Sequence, residues 1–192
     1  MKKIIPVDSS LIPKDAKKVF EGVLYDVYHW QQKLYDKSYA DFEMLRRADG
    51  AHAICIVDDQ ILLIEDTQPS RSKVLSLPGG KVEPGETTLE GLKRELLEET
   101  GYEFENHRLV EVVQANHKIE CFYYKYVAWG VKSVSEPQSE PGEIIKPKFT
   151  KFDKAKAASK GNKYMAERVF SKVNNIEDLK DLPEFDGQEL DL

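Results

Sequence analysis

Only two cysteines, Cys55 and Cys121, occur in the 192 residues, each inside an apolar run, Ala53-Ile-Cys-Ile-Val57 and Cys121-Phe-Tyr-Tyr124. A disulfide scaffold and a thiolate metal site are therefore excluded, and buried, reduced thiols are expected. No apolar run approaches the roughly 20 residues of a membrane-spanning helix, so no membrane partner is expected. Met1-Lys-Lys-Ile-Ile-Pro6 has neither the apolar core nor the small-residue cleavage site of a secretory leader, which sets a cytoplasmic expectation. An excess of positive charge is missing too. Against 28 Lys and Arg stand 34 Asp and Glu, a net charge of −6, so a general nucleic-acid partner is not expected. Internal repeats and low-complexity tracts are absent. The four histidines (His29, His52, His107 and His117) show no paired spacing and receive no role.

What is present is the composition of a globular protein, 41% hydrophobic and 32% charged. A chain of this size buries roughly 70% of its unfolded surface without a staple. From Lys18 to Arg47 the pattern is β-like: Val19 to Trp30 reads as one strand, Leu34 to Ser38 as a turn, and Tyr39 to Leu45 as the return strand. Ala51–Val57 and Ile61–Ile64 read as a tight hairpin around Asp58-Asp59-Gln60. Val74–Leu77 leads into Pro78-Gly79-Gly80. Leu109–Val113 and Glu120–Trp129 read as further strands, Ser133–Gly142 as a polar loop, and Ile144–Phe152 as a broken strand. Phe152–Val173 reads as mainly helical, divided at Gly161-Asn162, and Ile176–Leu192 as a loose acidic tail. Many short strands with one strong helix in the middle and another near the end indicate an α+β layered sandwich.

That strong helix carries the chemistry. Thr87 and Glu90 fit a capping box, Leu89, Leu92, Leu96 and Leu97 recur at helical spacing, and Gly101 stands where a left-handed cap belongs. Glu95 and Glu99 lie one turn apart, about 6 Å along the axis, and Glu98 lies within about 100° of both. Three carboxylates on one exposed helix edge repel one another and call for a cation. Clustered hard oxygen ligands suit Mg²⁺ or Mn²⁺ better than zinc.

The run Gly80-Lys-Val-Glu-Pro-Gly-Glu86, followed by Arg94-Glu95-Leu-Leu-Glu98-Glu99-Thr-Gly101-Tyr102, resembles the signature box of the Nudix hydrolases. Its last position departs, being Tyr102 where a small aliphatic residue is usual. The resemblance implies an α/β/α sandwich with a mixed sheet, in which the box forms loop, helix and loop. It implies Glu95, Glu98 and Glu99 as metal ligands with the Gly79 carbonyl, Arg94 as the residue that orients them through Glu86 or a ligand carboxylate, and Gly80 beside the substrate. It also implies a glutamate base on a later loop. Glu143, just before Ile144-Ile145, best matches that place, and Glu140 is next.

Residues 1–48 look like a β-hairpin extension to a hydrolase domain at 49–175, with an acidic tail at 176–192. In relatives that resemble ADP-ribose pyrophosphatases such an extension helps form a homodimer. Gln68-Pro-Ser-Arg71 falls where those relatives carry Gln-x-Arg to contact a diphosphate, though here the spacing is one residue longer. Trp30, with Tyr28 and Phe20, offers rings for a nucleobase or for a core. The resemblance therefore implies hydrolysis of a nucleoside diphosphate linked to another moiety, foremost ADP-ribose or an ADP-sugar. Another nucleotide, such as a different nucleoside diphosphate sugar, a dinucleoside polyphosphate or an oxidised triphosphate, is the alternative. The proline common after the box in ADP-ribose hydrolases is missing from Val112-Val-Gln-Ala-Asn-His117. A nucleotide sensor without turnover is a further alternative, against which stands the intact carboxylate set.

Overall fold

Short β-branched and aromatic runs broken by Gly, Asp and Pro give a mainly β chain, in which one long helix follows a glycine-rich turn. The computed structural model describes residues 2–69, 71–138, 142–162 and 165–191, with only the backbone of Arg71 and Asp191. The chain opens with β1 (Lys2–Ile5), β2 (Lys17–Glu21), β3 (Asp26–Lys33) and β4 (Tyr39–Arg46). There follow β5 (Gly50–Val57), β6 (Gln60–Gln68), β7 (Arg71–Ser76), β8 (Gly79–Lys81) and α1 (Thr88–Thr100). Two long strands, β9 (Tyr102–Asn116) and β10 (Ile119–Ser133), precede β11 (Ile144–Lys151). The chain closes with α2 (Phe152–Ser159), α3 (Glu167–Ser171), α4 (Ile176–Lys180) and β12 (Gln188–Asp191). It forms two compact units: residues 1–49, 112–123 and 186–192 make the first, and residues 50–111 and 124–185 the second.

In the first unit β2, β3 and β4 pair antiparallel, and β4 pairs parallel with β10 at Leu45↔Ile119. The single strand expected from Val19 to Trp30 is two strands. Gly22 and Tyr25 close a tight turn between them, the Gly22 N–H donating to the Tyr25 carbonyl at 3.1 Å. A Cβ on Gly22 would lie 2.6 Å from that oxygen, so glycine is what allows the turn. The end of the chain is not loose either. β12 pairs antiparallel with β1, from Lys2↔Asp191 to Ile5↔Gln188.

In the second unit β6 is flanked by antiparallel β11 on one edge and by β5 and β7 on the other. Alternation along these strands makes two apolar faces. Ile54, Ile56, Ile61 and Leu63 join Phe152, Ala155, Val169 and Phe170 in one cluster, so α2 and α3 cover that face. Cys55, Leu62 and Ile64 point the other way, where α1, with Leu92 and Leu96 fully buried, packs on β5, β8 and β11. Helices on both faces of a sheet make the expected α/β/α sandwich, and the parallel β4–β10 pair makes the pairing mixed. β11 runs unbroken through Pro147, because an edge strand tolerates a missing N–H.

Residues 176–185 belong to this second unit. Asn175 and Asp178 form a capping box on α4, Leu179 and Leu182 are buried, and the Arg108 guanidinium donates to the carbonyls of Lys180 and Leu182. Acidic composition suggested a tail here, but an apolar residue every third position was enough to dock the segment.

Candidate active site

Two adjacent glycines shape the turn before α1, for different reasons. Gly79 has φ +124°, and a Cβ there would stand 2.2 Å from the Ala51 carbonyl oxygen. Its backbone lies against β5, in the register Ala51↔Gly80 and His52↔Gly79. A Cβ on Gly80 would instead meet a side chain, the Glu95 carboxyl group at 2.6 Å. The first glycine lets the turn form, and the second leaves room for an acidic side chain of the helix against the turn's backbone.

α1 begins as its sequence dictates. Thr87 Oγ1 accepts the Glu90 N–H and Glu90 Oε2 accepts the Thr87 N–H, and Gly101 ends the helix at φ 73°. Arg94, in the second turn, holds three carboxylates. Its Nε and Nη2 donate to the two oxygens of Glu86 at 2.8 and 3.1 Å, a bidentate fork. Its Nη1 donates to Glu95 Oε1 at 2.8 Å and Glu98 Oε2 at 3.1 Å, and Nη2 also donates to the Lys81 carbonyl. The Glu86 carboxyl is held below its ordinary range, first by the Arg94 bond. Of the two arrangements expected for Arg94, pairing with Glu86 or with a ligand carboxylate, both are present.

The acidic edge expected to be exposed is partly buried at Glu95 and Glu98, and most buried at Glu99. Glu99 is 8% exposed, and its Oε2 accepts the Gly79 N–H at 2.7 Å. Burial drives its carboxyl well above the usual carboxylate range. The Gly79 bond opposes that shift, and the negative charges of Glu95, Glu143 and Asp66 add to it. Glu143 and Asp66 thus share the surroundings of Glu99.

Asp66 did not stand out in the sequence, where Glu65-Asp66 looks like the polar end of a strand. The register shows otherwise: Asp66 sits opposite Ile145 on the α1 face, whereas Glu65 lies opposite Lys146 and pairs with Lys73 and Lys148. The alternation Leu62, Ile64, Asp66 was the available signal.

A divalent cation fits these residues chemically. The donors are all oxygen, their charges repel, and the buried one, Glu99, is held by a backbone N–H. Among the described residues no three acidic, histidine or cysteine side chains are already gathered around one point. Arg94 draws Glu95 and Glu98 to itself, while Gly79 holds Glu99.

The remaining predicted residues are dispersed. Gln68 ends β6, its amide 3.5 Å from Asp66 Oδ2. Its neighbour in register, Arg71, has a side chain outside the described residues, as does all of Glu140. Trp30 lies in the first unit, its indole N–H on Gln32 and its ring 5.9 Å from that of Phe42; Tyr28 lies under Arg46, and Phe20 is 60% exposed. Tyr102, the departure from the box, packs edge-on against Phe149 at 5.9 Å, which gives the larger side chain a place.

Comparison with known proteins agrees with this geometry. No curated protein matches the sequence. Among solved structures, one described as an ADP compounds hydrolase is 20% identical with a TM-score of 0.61, over 78% of this chain and 82% of that one. A NUDIX hydrolase from Nitrosomonas europaea is 23% identical with a TM-score of 0.50, over 60% of this chain and 80% of that one. The family model of the NUDIX domain matches residues 46–169, well over half of the chain. With the loop-helix-loop of the box built as described, this chain belongs to the Nudix hydrolase family.

Proposed function

We propose that this Nudix hydrolase cleaves the diphosphate bond of a nucleoside diphosphate linked to another moiety, foremost ADP-ribose or an ADP-sugar, releasing two monophosphates with Mg²⁺ (or Mn²⁺) as cofactor. The observation that carries the reading is Glu99, buried on the helix of the box and bonded to the Gly79 N–H of the glycine turn. Glu95, Glu98, Glu99 and the Gly79 carbonyl are the proposed ligands. When bound, the metal offsets charge on the diphosphate oxygens.

The protein's own residues do the rest. Arg94 keeps Glu95 and Glu98 oriented through its bonds to both and to Glu86. Gly80 lets the Glu95 carboxyl group approach the turn. Glu143 accepts the proton of the attacking water as the general base. Gln68 and Arg71 bind the diphosphate.

ADP-linked substrates come first because the fold neighbour named an ADP compounds hydrolase spans most of both chains, a likeness of fold alone at 20% identity. The missing proline in Val112–His117 favours keeping other nucleotides in view. We place the protein in the cytoplasm as a homodimer, with residues 1–48 supplying the contact. That segment exposes Val19, Phe20, Val23, Leu24, Tyr35 and Tyr39. The test is phosphate release, coupled to a phosphatase, over a panel of ADP-ribose, ADP-sugars, other sugar nucleotides, dinucleoside polyphosphates and triphosphates with Mg²⁺. Turnover fastest on a nucleoside triphosphate would refute the diphosphate reading, and turnover of none with tight binding would leave a sensor.

A further inference from the structure

We propose that Arg47, with Tyr25 and Tyr123, forms a site for an oxyanion, the phosphate or carboxylate group of a small ligand. The site shares no residue with the acidic cluster of α1, so it stands or falls apart from the hydrolase reading. Strand register builds it. Asp26 pairs with Arg46 across β3 and β4, and Arg46 pairs with Glu120 across β4 and β10. One step beyond these pairs, Tyr25, Arg47 and Cys121 fall into one row. The Arg47 backbone N–H still donates to the Glu120 carbonyl there, at 3.4 Å. Neighbouring positions of a strand face opposite ways, so this row lies on the face that Arg46 and Glu120 do not occupy. Tyr123, two positions beyond Cys121, lies on the same face.

The two adjacent arginines are matched differently. Arg46 has its Nε and Nη2 at 2.8 and 2.7 Å from Glu120 Oε1, and its Nη1 donates to the Tyr28 hydroxyl at 3.1 Å. Arg47 has no ion pair among the described residues. Its guanidinium lies 5.7 Å from the centre of the Tyr25 ring and is hydrogen-bonded to that side chain, while its Nε is buried without a hydrogen-bond partner. Burial opposes its charge, and the groups that favour it are Tyr123, Tyr25 and Cys121. Neither Cys121 nor Tyr123 is negative at neutral pH, because burial pushes the thiol up to about 11 and the phenol above its ordinary value. The carboxylates close by along the chain are engaged elsewhere. Asp49 accepts the Phe122 N–H at 2.8 Å and the Lys3 ammonium at 3.0 Å, and Glu120 accepts Arg46 and the Ile12 N–H.

A half-buried cation is thus left beside two tyrosines without a protein counter-ion. A guanidinium carries five donors in a fixed fork that matches phosphate and carboxylate, and a tyrosine O–H can donate beside it. Tyr25, Arg47 and Tyr123 are each only partly buried, so a small anion reaches them from solvent.

The test uses metal-free protein, in which no metal ion on α1 can bind the anion. Inorganic phosphate and acetate are each compared with chloride at matched ionic strength. A site of millimolar affinity should raise the wild-type Tm by about 2–5 °C at about 50 mM of the anion. Arg47→Met, which keeps the stem and removes the charge, should lose that rise, and Tyr25→Phe should keep part of it. The larger of the two rises assigns the bound group as phosphate or carboxylate. Nuclear magnetic resonance gives a second reading on the wild type itself. The Arg47 Nε–H signal, identified by its loss in Arg47→Lys, should move as phosphate or acetate is added. No rise over chloride with either anion, an equal rise in wild type and Arg47→Met, or an Nε–H signal that stays in place would overturn the proposal.

Discussion

The Gly79 N–H donates to Glu99 Oε2 at 2.7 Å, across twenty residues of chain, from a backbone turned to φ +124°. A single bond thus joins the glycine turn before α1 to the most buried carboxylate on it, and the turn's conformation decides where that carboxylate points.

The two glycines of the turn should fail differently. Gly79→Ala puts a Cβ against the Ala51 carbonyl in a backbone region that L residues rarely adopt, so it should destabilise the fold by at least about 1–3 kcal/mol. Gly80→Ala meets first the Glu95 carboxyl group, the end of a flexible side chain, so Tm should barely change while Mn²⁺ affinity falls. Thermal melts with Mn²⁺ titration calorimetry check this. Equal loss of stability in both variants would refute the distinction.

Glu99→Gln keeps an oxygen for the Gly79 N–H and removes a carboxylate that burial and its acidic neighbours disfavour. Its stability without metal should equal or exceed that of the wild type at neutral pH. Its kcat should fall by about 10²-fold or more. Retention of most turnover at saturating Mg²⁺ would remove Glu99 from the mechanism.

Lys125 should set a pH dependence of stability. It is 5% exposed, and burial brings its ammonium from 10.5 down to about 8, against the opposing charge of Glu111. The folded chain therefore holds this proton less tightly than the unfolded one. The associated stability is present above about 10.5 and is lost as pH falls through about 8. His52 is the nearby group disfavoured by this charge, and Arg168 and Lys172 flank Glu111 with it. Lys125→Met should be more stable than wild type at pH 7, by at most about 3 kcal/mol, the gap closing toward pH 10. Denaturant melts from pH 6 to 10 would show it, and a gap independent of pH would refute it.

Arg71 bears on the substrate. If it clamps the diphosphate equally in ground and transition states, Arg71→Ala should raise KM for ADP-ribose more than it lowers kcat, with a loss of about 1.5–3 kcal/mol in kcat/KM. Steady-state kinetics on ADP-ribose and a nucleoside triphosphate decide it. An unchanged kcat/KM for ADP-ribose would make Arg71 an ordinary loop arginine.

The proposed dimer can be weighed directly. Light scattering at micromolar concentration should give twice the chain mass, and Phe20→Glu with Leu24→Glu should halve it, since both side chains are exposed apolar groups of the first unit. A clean monomer in the wild type would end the proposal.

Much of the site could be read along the chain because its geometry is local. Helical periodicity alone sets Glu95, Glu98 and Glu99 on neighbouring positions of α1, and the Thr87–Glu90 capping box and the left-handed Gly101 follow from residue chemistry within a few positions. The Asp58–Gln60 hairpin is equally local, its turn lying between strands that pair Val57 with Gln60. Tertiary structure decided what depends on strand register and burial. Glu99 became buried because Gly79, carried on the β5 edge, closes over it, and Asp66 came beside it because one step of register separates it from Glu65. Residues 176–191 gained their structure from partners far along the chain: Arg108 and Leu109 for residues 180–185, and β1 for β12. Composition sees charge and periodicity within a segment, whereas these placements depend on hydrogen bonds and burial between segments that only the folded chain brings together.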